Sequence, residues 1–226
     1  MKKLIGLLMC FVIICAALAG CAGKRFDVSV YDEVLNQVKQ TLSLSEEVMA
    51  PEGMEGIREL GSVYGDEALK MLCYKYQDLN QDSIPELLIG VSANTSDSHI
   101  RNHIYLAYTV VDGTPEQFLY TAGKNSYSLL SDGTFAYFGS AGAMYSIFGE
   151  FGLSKANGLD CTDYYFTHEI DGDLENIGVY HNSTGNFDVV SSNLTDMTLS
   201  DFNDLQEELA LRTPPLEDTT PFSDLK

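Results

Sequence analysis

Apolar residues are spaced along this chain in three different ways. Leu4 to Gly20 is an unbroken apolar run without a charge, preceded by Lys2 and Lys3. Val30, Val34, Leu35, Val38 and Leu42 recur three and four residues apart, so an amphipathic helix is expected from about Ser29 to Leu44. Ser45 to Gly61 is acidic and carries Pro51, Gly53 and Gly56, which predicts a loop or a short second helix before another helical turn near Asp66 to Met71. From Leu72 the period shortens toward two, the repeat of a strand with one buried face. The strand-like runs are Leu72 to Tyr76, Glu86 to Val91, Ile104 to Val111, Glu116 to Thr121, Tyr127 to Leu130, Thr134 to Phe138, Met144 to Leu153, Tyr164 to Ile170, Ile177 to His181 and Phe187 to Ser191.

Turn chemistry separates these runs. Asp112-Gly113, Asp132-Gly133, Asn157-Gly158 and Asp171-Gly172 suit primed hairpin turns, whose two central residues need positive φ. Short strands joined by tight turns give an antiparallel meander. Ser200 is the expected cap of a last amphipathic helix, Asp201 to Leu211, with Phe202, Leu205 and Leu209 on one face and Pro214-Pro215 as its stop; the tail beyond is expected to be extended. The fold class is therefore α+β: a curved antiparallel β-meander with an N-terminal amphipathic helix and a C-terminal helix, after a cleaved signal peptide. Residues 1–20 are expected to be the signal peptide, 21–27 a tether and 28–226 a single globular domain. Within it, 28–71 is mostly helical, 72–192 the meander and 193–226 helix and tail.

Charge narrows the choice of partners. Lys and Arg number 13 against 33 Asp and Glu, a net charge of −20, and without Lys2 and Lys3 the remainder carries −22. A nucleic acid is bound by neutralising its phosphates with Lys and Arg, so no nucleic-acid partner is expected. With 45% hydrophobic residues, 13 Tyr and 11 Phe, the chain has the apolar content of a folded body.

The basic start and the apolar run have the layout of an export signal. Leu18-Ala19-Gly20-Cys21 at the end of the run resembles the bacterial lipobox. That resemblance implies acylation of the Cys21 thiol, cleavage before it, and a mature protein anchored to the outer face of the bacterial cell membrane. Two or more acyl chains, at about 0.8 kcal/mol per buried methylene, hold a protein to a bilayer persistently. Lys24 and Arg25 would then lie against anionic headgroups while the acidic body faces away. Cys10 and Cys15 leave with the signal, so Cys73 and Cys161 remain, either as a bridge or as two buried thiols, and no spacing rule supports the bridge.

One loop carries candidate chemistry. Asp78, Asn80, Asp82 and Glu86 place side-chain oxygens at relative positions one, three, five and nine, with the Ile84 carbonyl at seven. Alternate residues of a tightly turning loop point inward, and such a set can surround Ca²⁺ at about 2.3–2.6 Å. A helical EF-hand is excluded by Ile89 at position twelve and by the strand-like Glu86 to Val91. The stretch from Tyr74 to Ile89 resembles the strand-loop-strand calcium hairpin of FG-GAP and VCBS-type repeats. It is still more similar to the single such hairpin of a group of lipoproteins from Gram-positive gut bacteria, in which Asp-x-Asn-x-Asp-Gly precedes Pro-Glu-Leu-Leu-Ile. Ser83 stands where that pattern has glycine, and must either adopt a strained positive φ or open the loop. Without a cation, the same side chains would simply close the turn through backbone hydrogen bonds.

Other combinations carry less. His99 and His103 are four apart, but in a polar loop entering a strand rather than on a helix; His168-Glu169 lacks the second histidine of HExxH; Gly139-Ser140-Ala141-Gly142 is not a nucleophile elbow. Glu169, Asp171, Asp173 and Glu175 read as a solvated hairpin tip. The expected function is a lipid-anchored, extracytoplasmic, non-enzymatic binding module with a structural calcium loop and a protein or polysaccharide ligand. The alternative is an extracytoplasmic hydrolase or accessory subunit, which would need a cleft with two carboxylates about 5–9 Å apart, one with a raised pKa.

Overall fold

A computed structural model describes residues 26–45 and 47–225. The signal peptide, Cys21, Lys24 and Arg25 lie outside the described residues.

The first helical segment is shorter than its apolar spacing suggests. Asp27 accepts the backbone N–H of Ser29 and opens a 3-10 turn, Val28–Tyr31, which leads into α1, Asp32–Thr41. Asp32 and Glu33 in the first turn and Lys39 in the last complement the helix dipole, and Val34, Leu35 and Val38 are buried. The acidic stretch after it does form a helix, α2, Glu55–Tyr64, because Ile57 and Leu60 supply a buried face. Gly61 lies directly on the end of α1: a Cβ there would sit 2.2 Å from the Leu42 carbonyl oxygen. A 3-10 turn, Gly65–Glu67, and a single helical turn, α3, Ala68–Met71, deliver the chain to the sheet.

The strands are β1 (Leu72–Gln77), β2 (Glu86–Val91), β3 (His103–Val111), β4 (Thr114–Tyr120), β5 (Ser126–Leu129), β6 (Phe135–Ser140), β7 (Ser146–Leu153), β8 (Leu159–Ile170), β9 (Asp173–Asn182), β10 (Asn193–Leu194) and β11 (Thr220–Pro221). Every pairing is antiparallel, in the order β10-β9-β8-β7-β6-β5-β3-β2-β1-β11, with β4 on β3. The fold is α+β, as expected. A meander alone does not describe it, because the sheet branches. One edge of β3 pairs with β2, while the other is shared: Leu106 to Val111 pair with β4, and His103 and Ile104 pair with Ser128 and Tyr127 of β5.

The hairpin turns divide into two kinds. Asp112-Gly113 (φ 51° and 81°) and Asp171-Gly172 (φ 53° and 76°) are the expected primed turns. In the other two, only Gly133 and only Asn157 have positive φ, so each is a wider turn closed by one left-handed residue rather than a primed pair. The expected strand Phe187 to Ser191 does not form. Asn182 gathers that segment instead, accepting the N–H groups of Thr184 and Gly185 and donating to the Asn186 carbonyl and Ser192 Oγ. Phe187 and Val189 are thereby laid over one face of the sheet.

α1 and α2 cover one face of β1–β3, where Tyr31, Leu35, Val38 and Ile57 meet Leu72, Leu87 and Ile89. Leu88 points to the opposite face with Ile104, Ala107 and Phe135, so β2 is buried on both sides, which is why it reads as a continuous apolar run. In the second half, α4 (Leu199–Leu211) packs Phe202 and Leu209 on Phe148 and Val179. Its cap is Thr198, not Ser200: Thr198 accepts the Asp201 N–H, and the Asp201 carboxylate accepts the Thr198 N–H in return. Behind the sheet lie Tyr137, Phe151, Tyr164, Phe166 and Tyr180. The tail adds β11 to β1 and buries Phe222 beneath the N-terminal helices.

Candidate functional site

Asp78 to Pro85 form the connection between β1 and β2, and the loop is built from its own acids. Asp78 Oδ1 accepts the Asp82 N–H at 3.2 Å and Oδ2 accepts the Ser83 N–H at 3.0 Å. Asn80 Oδ1 also accepts the Asp82 N–H, and Asp82 Oδ1 accepts the Ile84 N–H at 2.7 Å. Ser83 adopts the strained alternative, φ 73°, and Gln81 is left-handed as well, at 60°. The cost of a non-glycine residue there is about 1–2 kcal/mol, and the bonds accepted by Asp78 offset it.

Asn80 is buried, and its Nδ2 donates to Asp82 Oδ2 and, at 3.4 Å, to Asn157 Oδ1 of the β7–β8 turn. The loop therefore touches a second hairpin. Glu86 is fully buried at its base: one carboxylate oxygen accepts the Leu79 N–H at 2.7 Å, the other the Thr109 hydroxyl at 3.1 Å. Burial pushes its carboxyl above the ordinary carboxylate range, against those two hydrogen bonds, and the nearby Asp82 adds to the rise.

The oxygens of Asp78, Asn80 and Asp82 and the Ile84 carbonyl have the chemistry a hard cation takes. Each accepting oxygen keeps a second lone pair. Among the described residues, no three His, Cys, Asp or Glu side chains are gathered closely enough to hold a metal. Asp78, Asp82 and Glu86 are thus brought into one loop but not to one point, and Glu86 faces the protein interior.

The remaining candidates are dispersed. His99 is exposed on a turn whose Asp97 accepts its N–H, while His103 opens β3 and is half-buried, so no helical face pairs them. Glu169 is not at a free hairpin tip: it accepts the Tyr145 hydroxyl and lies 3.1 Å from His168 Nδ1, with Tyr145 and His168 stacked at 4.9 Å. Ser140 Oγ donates to the Gly142 carbonyl within its own turn. Cys73 and Cys161 are free thiols in different clusters, and burial raises the pKa of both.

A cleft of about 300 Å³ opens where β4 leaves β3 and β5 replaces it. α2 contributes Glu59, Leu60, Val63 and Tyr64, β3 contributes His103 and Tyr105, and residues 121–126 close the far side. The Tyr64 hydroxyl donates to Asp97 at 2.6 Å beside it. No local spacing announced this cleft, because it is made by the branch in the sheet. No protein-family model matches the chain, and no curated protein or solved structure is significantly similar to it.

Proposed function

We propose that this chain is a lipid-anchored protein on the outer face of a bacterial cell membrane, and that it acts as a non-enzymatic binding module whose β1–β2 hairpin is stabilised by Ca²⁺. The observation that carries the reading is the Asp78–Glu86 loop: three short oxygen-bearing side chains wound around a left-handed Ser83 and reaching the neighbouring β7–β8 turn through Asn80. Asp78, Asn80, Asp82 and the Ile84 carbonyl would hold the ion, with Glu86 behind them at the base. The ion would supply fixed positive charge among these acids, holding the loop in the shape from which Asn80 reaches the β7–β8 turn. Cys21 is the lipidated residue by its resemblance to the lipobox.

The hydrolase alternative has less support. Among the described residues Glu86 is the carboxylate with a resolved upward pKa shift, and it lies under the loop rather than in the cleft.

Calorimetric titration of the full chain in detergent tests the ion. Calcium heat is expected for the wild type and lost in Asp82→Ala, with a dissociation constant of about 10⁻⁴ to 10⁻³ M. No heat in the wild type, or equal heat in both, overturns the calcium site. Fractionation tests the anchor separately: Cys21→Ser is expected to leave the membrane fraction, and normal processing with retention in that fraction overturns it.

A further inference from the structure

The cleft between α2 and the branched edge of β3 presents a hydroxyl that no protein group engages. Tyr105 is 8% exposed and lines the cleft, yet its hydroxyl makes no hydrogen bond among the described residues. The oxygen itself reaches the cleft rather than being sealed in the core, so a ligand there can bond to it in place of water. The His103 ring lines the same cleft, is half-buried, and likewise has no hydrogen bond among the described residues. The cleft therefore presents two polar side chains, two residues apart on β3, that no protein group engages.

Their surroundings define what fits. Leu60, Val63 and Ile100 supply apolar surface. Burial keeps the His103 ring deprotonated to lower pH than usual, against the attraction of Asp97, so at neutral pH it offers one donor and one acceptor. The Tyr105 hydroxyl is held protonated, its pKa pushed up to about 12 by burial first and then by Tyr64, Glu59 and Asp97. Glu59 and Asp97 outweigh Lys124, which opposes an anionic ligand. About 300 Å³ is at the small end of ligand clefts. We propose that this cleft binds a neutral sugar, a mono- or disaccharide unit, with Tyr105 and His103 bonded to its hydroxyls and its apolar ring face on Leu60 and Val63. The proposal rests on the binding-module reading and is independent of both the lipid anchor and the calcium loop.

Saturation-transfer NMR on the full chain in lipid nanodiscs, with empty nanodiscs as blank, tests it. The probes are glucose, galactose and N-acetylglucosamine and their β-1,4-linked disaccharides, up to about 20 mM, with inorganic phosphate as the anionic control. Transfer to at least one sugar is expected, with affinity falling about tenfold in Tyr105→Phe, the loss of one hydrogen bond. The melting temperature of that variant should be unchanged or higher, since the hydroxyl it removes bonds to nothing in the fold. No transfer to any sugar, equal transfer in Tyr105→Phe, or binding of phosphate alone overturns the proposal. Cleavage of a disaccharide during the titration supports the site while removing the non-enzymatic reading. Absence of sugar binding with intact calcium heat removes the ligand class and leaves the calcium loop standing.

Discussion

Ser83 is a residue whose backbone and side chain pull in different directions. Its φ of 73° places a Cβ where glycine would be free of strain. Ser83→Gly removes about 1–2 kcal/mol of left-handed strain and gives back about 0.4–1 kcal/mol through the freer unfolded chain, so a net gain is expected. Chemical denaturation should show a higher midpoint with unchanged slope; a lower midpoint would mean the strain is already relieved within the loop. His103 gives a second expectation at this scale. Its folded pKa lies below 6.5 because burial outweighs the attraction of Asp97. Between the folded value and 6.5 the unfolded chain binds more protons than the folded one, so stability falls as pH descends through that window and levels off beneath it. His103→Gln should flatten this part of a melting-temperature profile, while an unaltered slope would assign it to other groups.

Helices and hairpins show how much could be read from local pattern. β2, the start of α1's apolar stripe and the two Asp-Gly primed turns follow from spacing and turn chemistry alone. The segment Phe187 to Ser191 alternates like a strand but has no partner edge, because Asn182 bonds it into a loop over the aromatic face. The turn that Asp78, Asn80 and Asp82 close on their own backbone was legible residue by residue, whereas the inward turn of Glu86 depends on Thr109, a strand away. The cleft was not legible, since the branch at β3 is a register fact with no local signature. Gly61 tests the α1–α2 contact. Alanine improves helix propensity by about 1 kcal/mol, but its Cβ would meet three backbone atoms of Leu42, the nearest at 2.2 Å, and backbone cannot swing aside. Overpacking of that kind costs about 1–3 kcal/mol, so Gly61→Ala should lower the melting temperature despite the better helix former. Thr198→Ala should lose about 1 kcal/mol with the capping box, provided α4 is needed to cover Phe148; an unchanged unfolding midpoint would show that it is not.

At the scale of the whole molecule, charge dominates. Net charge is −20, with 33 Asp and Glu against 13 Lys and Arg; Lys70 pairs with Glu67 and Arg212 with Glu150, so acids far outnumber the cations that could neutralise them. Most acids therefore repel one another across a compact body. Raising NaCl shortens the Debye length from about 10 Å at 0.1 M to about 3 Å at 1 M, so the melting temperature should climb with salt. Calcium acts through the same screening as well as through any site, and the two effects separate at high ionic strength. A loop with a dissociation constant of about 10⁻⁴ M gains about 2.7 kcal/mol at a hundredfold excess of free ion. For a body of this size that is a rise of roughly 5–10 °C, and it should persist at 0.5 M NaCl because a ligated ion is not displaced by screening. Asp82→Ala is expected to abolish this residual rise while keeping the dependence on NaCl. If the calcium effect in the wild type disappears at high salt, the ion is a counterion to an acidic surface, and the hairpin is held by Asp78, Asn80 and Asp82 bonding their own backbone.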